Sequence, residues 1–252
     1  MIKKHGMSST KASRVKKVGH RKEAAFADCI NGEVISGHYK KDVKDCNGNY
    51  HSVKGGGEIK GSDEGKGKWQ IFLYNINKFK DNSKFKGSDI FIKILETFPE
   101  SYNDYKHNKI DTKKKIEPHM KKLKILLSNE ETERRFLKRS FFGTNKKVKY
   151  LVIHHFDMFY VFDSKETIDV FVNHLVIDNS STFQKVVFKY DDAIAAEIEV
   201  RTTNDGKYPS ILFNMLKLKA CKILHENIAL SEQIKPNLRV YGKALETDFW
   251  TR

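Results

Sequence analysis

The sequence predicts an α/β protein of the mixed α+β kind, with a central mixed β-sheet flanked by helices. Three observations lead there. Apolar residues make up 39% of the 252-residue chain, including 17 Phe and 10 Tyr, which is enough for a core. Short extended runs and helical periodicities both occur, without regular βαβ alternation. No apolar stretch approaches the roughly 20 residues of a membrane span. The length suits one large domain or two small ones. We expect a basic flexible arm over 1–17 and a single domain over 18–252, with its core motifs in 19–80.

Residues 1–22 hold eight Lys/Arg and no acid. Helical character is expected from His20 through Ala24, Ala25, Phe26, Ala27 and Ile30, with Gly32 as a stop. Two extended runs follow, 34–43 and 50–54. Asp45-Cys46-Asn47-Gly48-Asn49 joins them, and Asn-Gly supplies the positive φ of a tight turn. Residues 55–67 contain six glycines and read as a loop. Residues 69–79 fit a helix or a strand.

Ile116, Met120, Leu123 and Leu127 lie on one helical face. Asn129 caps the next helix, with Glu130, Glu131 and Glu133 in its first turn and Lys138 and Arg139 in its last. Residues 148–156 and 159–162 read as a hairpin, and Ser164 as the cap of a helix to about Leu175. Residues 185–190 and 194–202 read as a second hairpin across Asp191-Asp192. Residues 210–225 read as a helix with Ile211, Met215, Leu218 and Ile223 on its apolar face.

Charge points to a partner. The chain has 47 Lys+Arg against 32 Asp+Glu, a formal net of +15. Such an excess suits a polyanion, because each neutralised phosphate releases condensed counterions. Lys16, Lys17, Arg21, Lys22 and the lysines of 113–124 are the candidate phosphate contacts. Cys29, Cys46 and Cys221 are odd in number and widely spaced, so a reducing, cytoplasmic setting is expected. No membrane association is expected, and no Cys/His spacing suggests structural zinc.

One segment carries chemistry. Asp42 precedes the Asn-Gly turn and Lys54 follows it, with Ser52 two residues before Lys54 on the same strand face. A carboxylate beside a lysine at the end of a strand pair suits metal-assisted phosphodiester hydrolysis. Residues 37–55, with Glu23 in the helix before and Gln70-Ile-Phe-Leu-Tyr74 after, resemble the core of PD-(D/E)xK nucleases, type II restriction endonucleases among them. The resemblance implies a Mg²⁺-dependent endonuclease acting on double-stranded DNA, possible as a homodimer on palindromic targets. It implies Asp42, Glu58 and Glu23 as metal ligands, Lys54 or Lys60 as the catalytic lysine, and Gln70 as a positioning group. Ser52 departs from the pattern, which has Asp or Glu there. Glu58-Ile-Lys60 matches it literally but stands among glycines. A non-catalytic basic nucleic-acid-binding protein is the alternative. Glu197, Glu199 and Arg201 line one strand face and form a rival cation and DNA site, or a surface whose charges pair internally.

Overall fold

A computed structural model describes residues 9–37, 40–55, 68–75, 88–99, 101–143, 148–201 and 210–246. The chain is mixed α/β and folds as two compact units, each assembled from separate stretches of sequence, where a single domain over 18–252 was expected. No helix among the described residues is long and apolar enough to cross a membrane.

The first unit comprises Met1–Gly67, Leu137–Asn173 and Cys221–Arg252. It opens on α1 (Ser9–Cys29), so residues 9–17 of the expected arm are helical, and 1–8 lie outside the described residues. Lys, Arg and Ala are good helix formers, and basic composition alone does not prevent a helix. Seven strands follow: β1 (Glu33–Val34), β2 (Val43–Lys44), β3 (Tyr50–Lys54), β5 (Val148–His155), β6 (Met158–Asp163), β11 (Leu230–Lys235) and β12 (Leu238–Tyr241). They form a mixed sheet in the order β1-β2-β3-β5-β6-β12-β11. β3 runs parallel to β5 and β6 parallel to β12; the other neighbours are antiparallel. The extended run at 34–43 folds back on itself, pairing Val34 with Val43.

One face of this sheet packs on α1. Phe26, Ala27 and Ile30 meet Val43, Val53, Tyr150, Val152, Phe159, Val161, Leu238 and Val240 in a buried cluster. Burying a side chain such as Phe26 contributes roughly 1.5–3 kcal/mol. The β5–β6 hairpin forms as expected. The helix after it, α6 (Ser164–His174), is capped by Asp163 rather than Ser164: Asp163 Oδ1 accepts from Lys165 N at 2.8 Å and Glu166 N at 2.9 Å.

The second unit comprises Lys68–Phe136 and His174–Ala220. Strands β4 (Lys68–Asn75), β7 (Val176–Asn179), β8 (Val186–Tyr190), β9 (Ala193–Arg201) and β10 (Ser210–Leu216) make an antiparallel sheet, ordered β4-β10-β9-β8-β7. Its helices are α2 (Ser88–Glu96), α3 (Tyr102–His107), α4 (Lys109–Leu127) and α5 (Glu130–Phe142) as far as Phe136. Ile116, Met120, Leu123 and Leu127 are buried on α4 as their spacing requires. Asn129 caps α5, accepting from Thr132 N at 3.2 Å. Phe136 packs against Phe91, Phe188 and Phe213, with centroids at 6.1, 6.3 and 5.1 Å.

The helix expected over 210–225 begins only at Lys217, as α7 (Lys217–Asn227). Ile211, Leu212, Phe213, Asn214 and Met215 are buried in succession on β10, a central strand between β4 and β9. A strand covered on both faces shows no period of two, and its apolar run mimics a buried helix.

Candidate active site

The site is built from the turn between β2 and β3. Gly48 takes φ +78°. The Asp45 carboxylate binds the turn through Oδ1, which accepts from Asn47 N and Asn49 N, both at 2.9 Å. Its Oδ2 meets His51 Nε2 at 3.1 Å, with both side chains fully buried. The His51 ring stacks on Tyr150 at 4.7 Å and tilts against Phe26 at 5.3 Å. Burial holds the His51 imidazole below its ordinary pKa, while the hydrogen bonds from His51 and Asn49 outweigh burial to hold Asp45 below its own. The turn is thus tied to α1 and β5, and the register it fixes pairs Val43 with His51 and Lys44 with Tyr50.

Asp42 lies just before β2. Its N–H donates to His51 O at 3.0 Å and its carbonyl accepts from Ile35 N at 3.0 Å. That places its carboxylate beside β3. Oδ2 accepts from the Val53 amide at 2.7 Å and lies 3.5 Å from Lys54 Nζ. Lys54 also donates to Ser52 Oγ at 2.8 Å and Val53 O at 3.3 Å. Both charged side chains are mostly enclosed, at 17% and 14% exposure. Ser52 is fully buried, and its hydroxyl donates a hydrogen bond to Phe141 O at 3.4 Å. Where the nuclease pattern has an acid, this chain has a hydroxyl that orients the lysine.

The other candidates are distributed differently. Glu23 bonds His20 Nδ1 at 2.9 Å, and no bond joins it to Asp42 among the described residues. Glu58 and Lys60 lie outside the described residues. Gln70 belongs to the other unit, on β4, where its backbone pairs with Asn214. Lys17 and Arg21 are exposed on α1, which also carries Lys16, while Arg201 ends β9; the side chains of Lys16 and Arg201 are outside the description. Lys22 is half-buried. Its ammonium donates to His154 Nε2 at 3.1 Å, and its stem crosses Gly55 so closely that a Cβ there would meet Lys22 Cβ at 2.9 Å. No spacing in the sequence announces this contact, because it joins residues 132 apart.

The rival carboxylates are occupied. Glu197 and Glu199 hold Lys185 Nζ at 2.9 and 2.6 Å, and Asn214 donates to Glu199 at 3.1 Å. The cation of that face is a lysine. Among the described residues no three His, Cys, Asp or Glu side chains gather as a metal centre. Mg²⁺ accepts one or two carboxylates completed by waters and substrate phosphates. Asp42 fits that role as a single fixed carboxylate whose Oδ1 takes no hydrogen bond among the described residues.

No protein-family model, curated protein or solved structure matches the chain.

Proposed function

We propose that the protein is a metal-dependent endonuclease of double-stranded DNA, of the restriction-enzyme kind. The observation that carries the reading is the Asp42–Lys54 pair, fixed at 3.5 Å by the β2–β3 register and the Val53 amide. Bound Mg²⁺ supplies an activated water and neutralises phosphate charge. Asp42 would hold it. Lys54, aimed by Ser52, would face the charge developing on the phosphoryl oxygens. Lys17 and Arg21 would follow the backbone of the duplex, with Lys22 beside them. A palindromic target would call for a two-fold homodimer with one site per strand.

Plasmid incubation with Mg²⁺, against an EDTA control, tests this. Asp42→Asn keeps a partner for the Val53 amide yet removes the charge. Cleavage should fall more than a thousandfold while DNA binding persists. Cleavage at the wild-type rate by this variant would sink the assignment.

A second reading has its own support. Ser52 is saturated by Lys54 and Phe141, and no second carboxylate joins Asp42 among the described residues. That favours a basic DNA-binding protein without catalysis. A wild-type protein that binds plasmid and never nicks it would decide for this reading.

A further inference from the structure

The second unit carries a groove that the Asp42–Lys54 chemistry does not use. α2 packs along α4, and a cavity of about 580 Å³ opens between them, lined by Lys93, Glu96, Thr97, Lys115, Pro118 and His119. All six belong to the stretch Lys68–Phe136 of that unit. The volume falls in the range of roughly 300–1,000 Å³ that small-molecule sites occupy.

The charge of the groove is unbalanced. Lys93 comes from α2 and Lys115 from α4, both exposed, and neither has an ion-pair partner among the described residues. On α5, by contrast, Arg134 pairs with Glu130 and Arg135 with Glu131. Glu96 is the one carboxylate among the lining residues, against two ammoniums. The resulting field reaches His119. Burial first, then Lys122 and Lys93, hold its imidazole below the ordinary pKa, so its ring is neutral near pH 7.

Pro118 adds an independent observation. It stands inside α4, where it removes a helical amide and leaves the Lys114 carbonyl without the N–H it would ordinarily bond. The residue is exposed, so core packing does not account for it. Breaks of a local rule concentrate at functional sites, and this one lines the groove beside His119 as a rigid apolar wall.

We propose that the groove binds a phosphate-bearing small molecule of nucleotide size, with Lys93 and Lys115 on its phosphates and the Pro118 and His119 rings against its apolar part. Ammonium–phosphate hydrogen bonds are charge-assisted and among the stronger ones. Thr97 Oγ1 already donates to Lys93 O at 2.8 Å, so the two lysines are the donors that the anion meets. The inference does not rest on the nuclease reading.

Isothermal titration calorimetry of the full-length protein in EDTA, with inorganic pyrophosphate and with ATP, tests it. Pyrophosphate should bind one to one with a Kd below about 1 mM. ATP should bind more tightly, because its rings add contacts with Pro118 and His119. Lys93→Gln and Lys115→Gln should each weaken both ligands about tenfold. Lys121→Gln, on α4 but outside the groove and placed over the Phe183 ring at 4.1 Å, should leave them unchanged. Circular dichroism checks that the variants fold. Equal losses in all three variants would reduce the effect to surface charge and overturn the site. A wild type that binds neither ligand, or binds ATP no more tightly than pyrophosphate, overturns it as well. Groove variants that keep both ligands but lose duplex affinity would assign the groove to the DNA backbone instead. Plasmid cleavage by the same proteins decides the nuclease reading separately.

Discussion

The Asp45 carboxylate and the His51 imidazole meet at 3.1 Å with neither side chain exposed. The pair closes the turn whose register brings Asp42 to Val53 and Lys54. Asp45 lies below its ordinary pKa through its hydrogen bonds, and His51 below its own through burial. For both groups the unfolded chain binds protons first as pH falls, so acid removes stability. The contribution of His51 is complete above its unfolded value of 6.5 and is lost as pH falls below it toward the folded value. The urea midpoint should therefore drop on acidification from pH 7 to 5. His51→Gln should cost about 1–3 kcal/mol at pH 7 by leaving Asp45 poorly paired, and should flatten this acid dependence. An unchanged acid dependence in the variant would refute the role of the pair.

Lys54 is held by three oxygens, from Ser52, Val53 and Asp42. Lys60 lies in a glycine-rich stretch, where ordering the backbone is costly. Catalytic groups work when held within about half an ångström of the productive geometry. Lys54→Ala should therefore slow plasmid cleavage at least tenfold more than Lys60→Ala. Circular dichroism should show both variants folded. Dead Lys60→Ala and Glu58→Ala proteins beside an active Lys54→Ala protein would move the site to the Glu58-Ile-Lys60 segment.

The electrostatic part of the reading has its own test. Lys17, Arg21, Lys121 and Lys122 are exposed on α1 and α4 within a chain of net charge +15. With about six phosphate contacts at about 0.9 each, the log–log slope of duplex affinity against salt should be near −5. A slope shallower than about −2 would remove the electrostatic argument.

The sequence made the Asp42–Lys54 hairpin legible because its signals are local: an Asn-Gly turn and strand alternation over thirteen residues. The face of α4 and the cap and C-terminal glycine of α5 were legible for the same reason. Gly143, with φ +72°, ends α5 as expected. Longer-range relations were not. Lys22 meets His154, and Lys54 aligns with Arg239, through strand order that no spacing encodes. The β10 run reads as a helix in sequence because a buried central strand lacks alternation. The cation of Glu197 and Glu199 is Lys185, which is supplied across the hairpin from just before β8.

Glu133 predicts a pH dependence of the opposite sign. It sits on α5 in the second unit at 6% exposure, and its Oε1 has no hydrogen-bond partner. Burial pushes its carboxyl up to about 8 from 4.5, against the pull of Arg134 and with a small push from Glu130. The folded unit therefore holds a proton that the unfolded chain releases above pH 4.5. Its contribution is full below 4.5, declines as pH rises toward 8, and is gone above that value. Each pKa unit corresponds to about 1.4 kcal/mol, so a few kcal/mol are at stake. Glu133→Gln keeps the shape and removes the titration. Its melting temperature should exceed the wild type's at pH 8.5 and approach it at pH 5. The slope between those values is the decisive quantity, because an unpaired amide also costs something when buried. Parallel slopes in the two proteins would show that Glu133 does not titrate in this range.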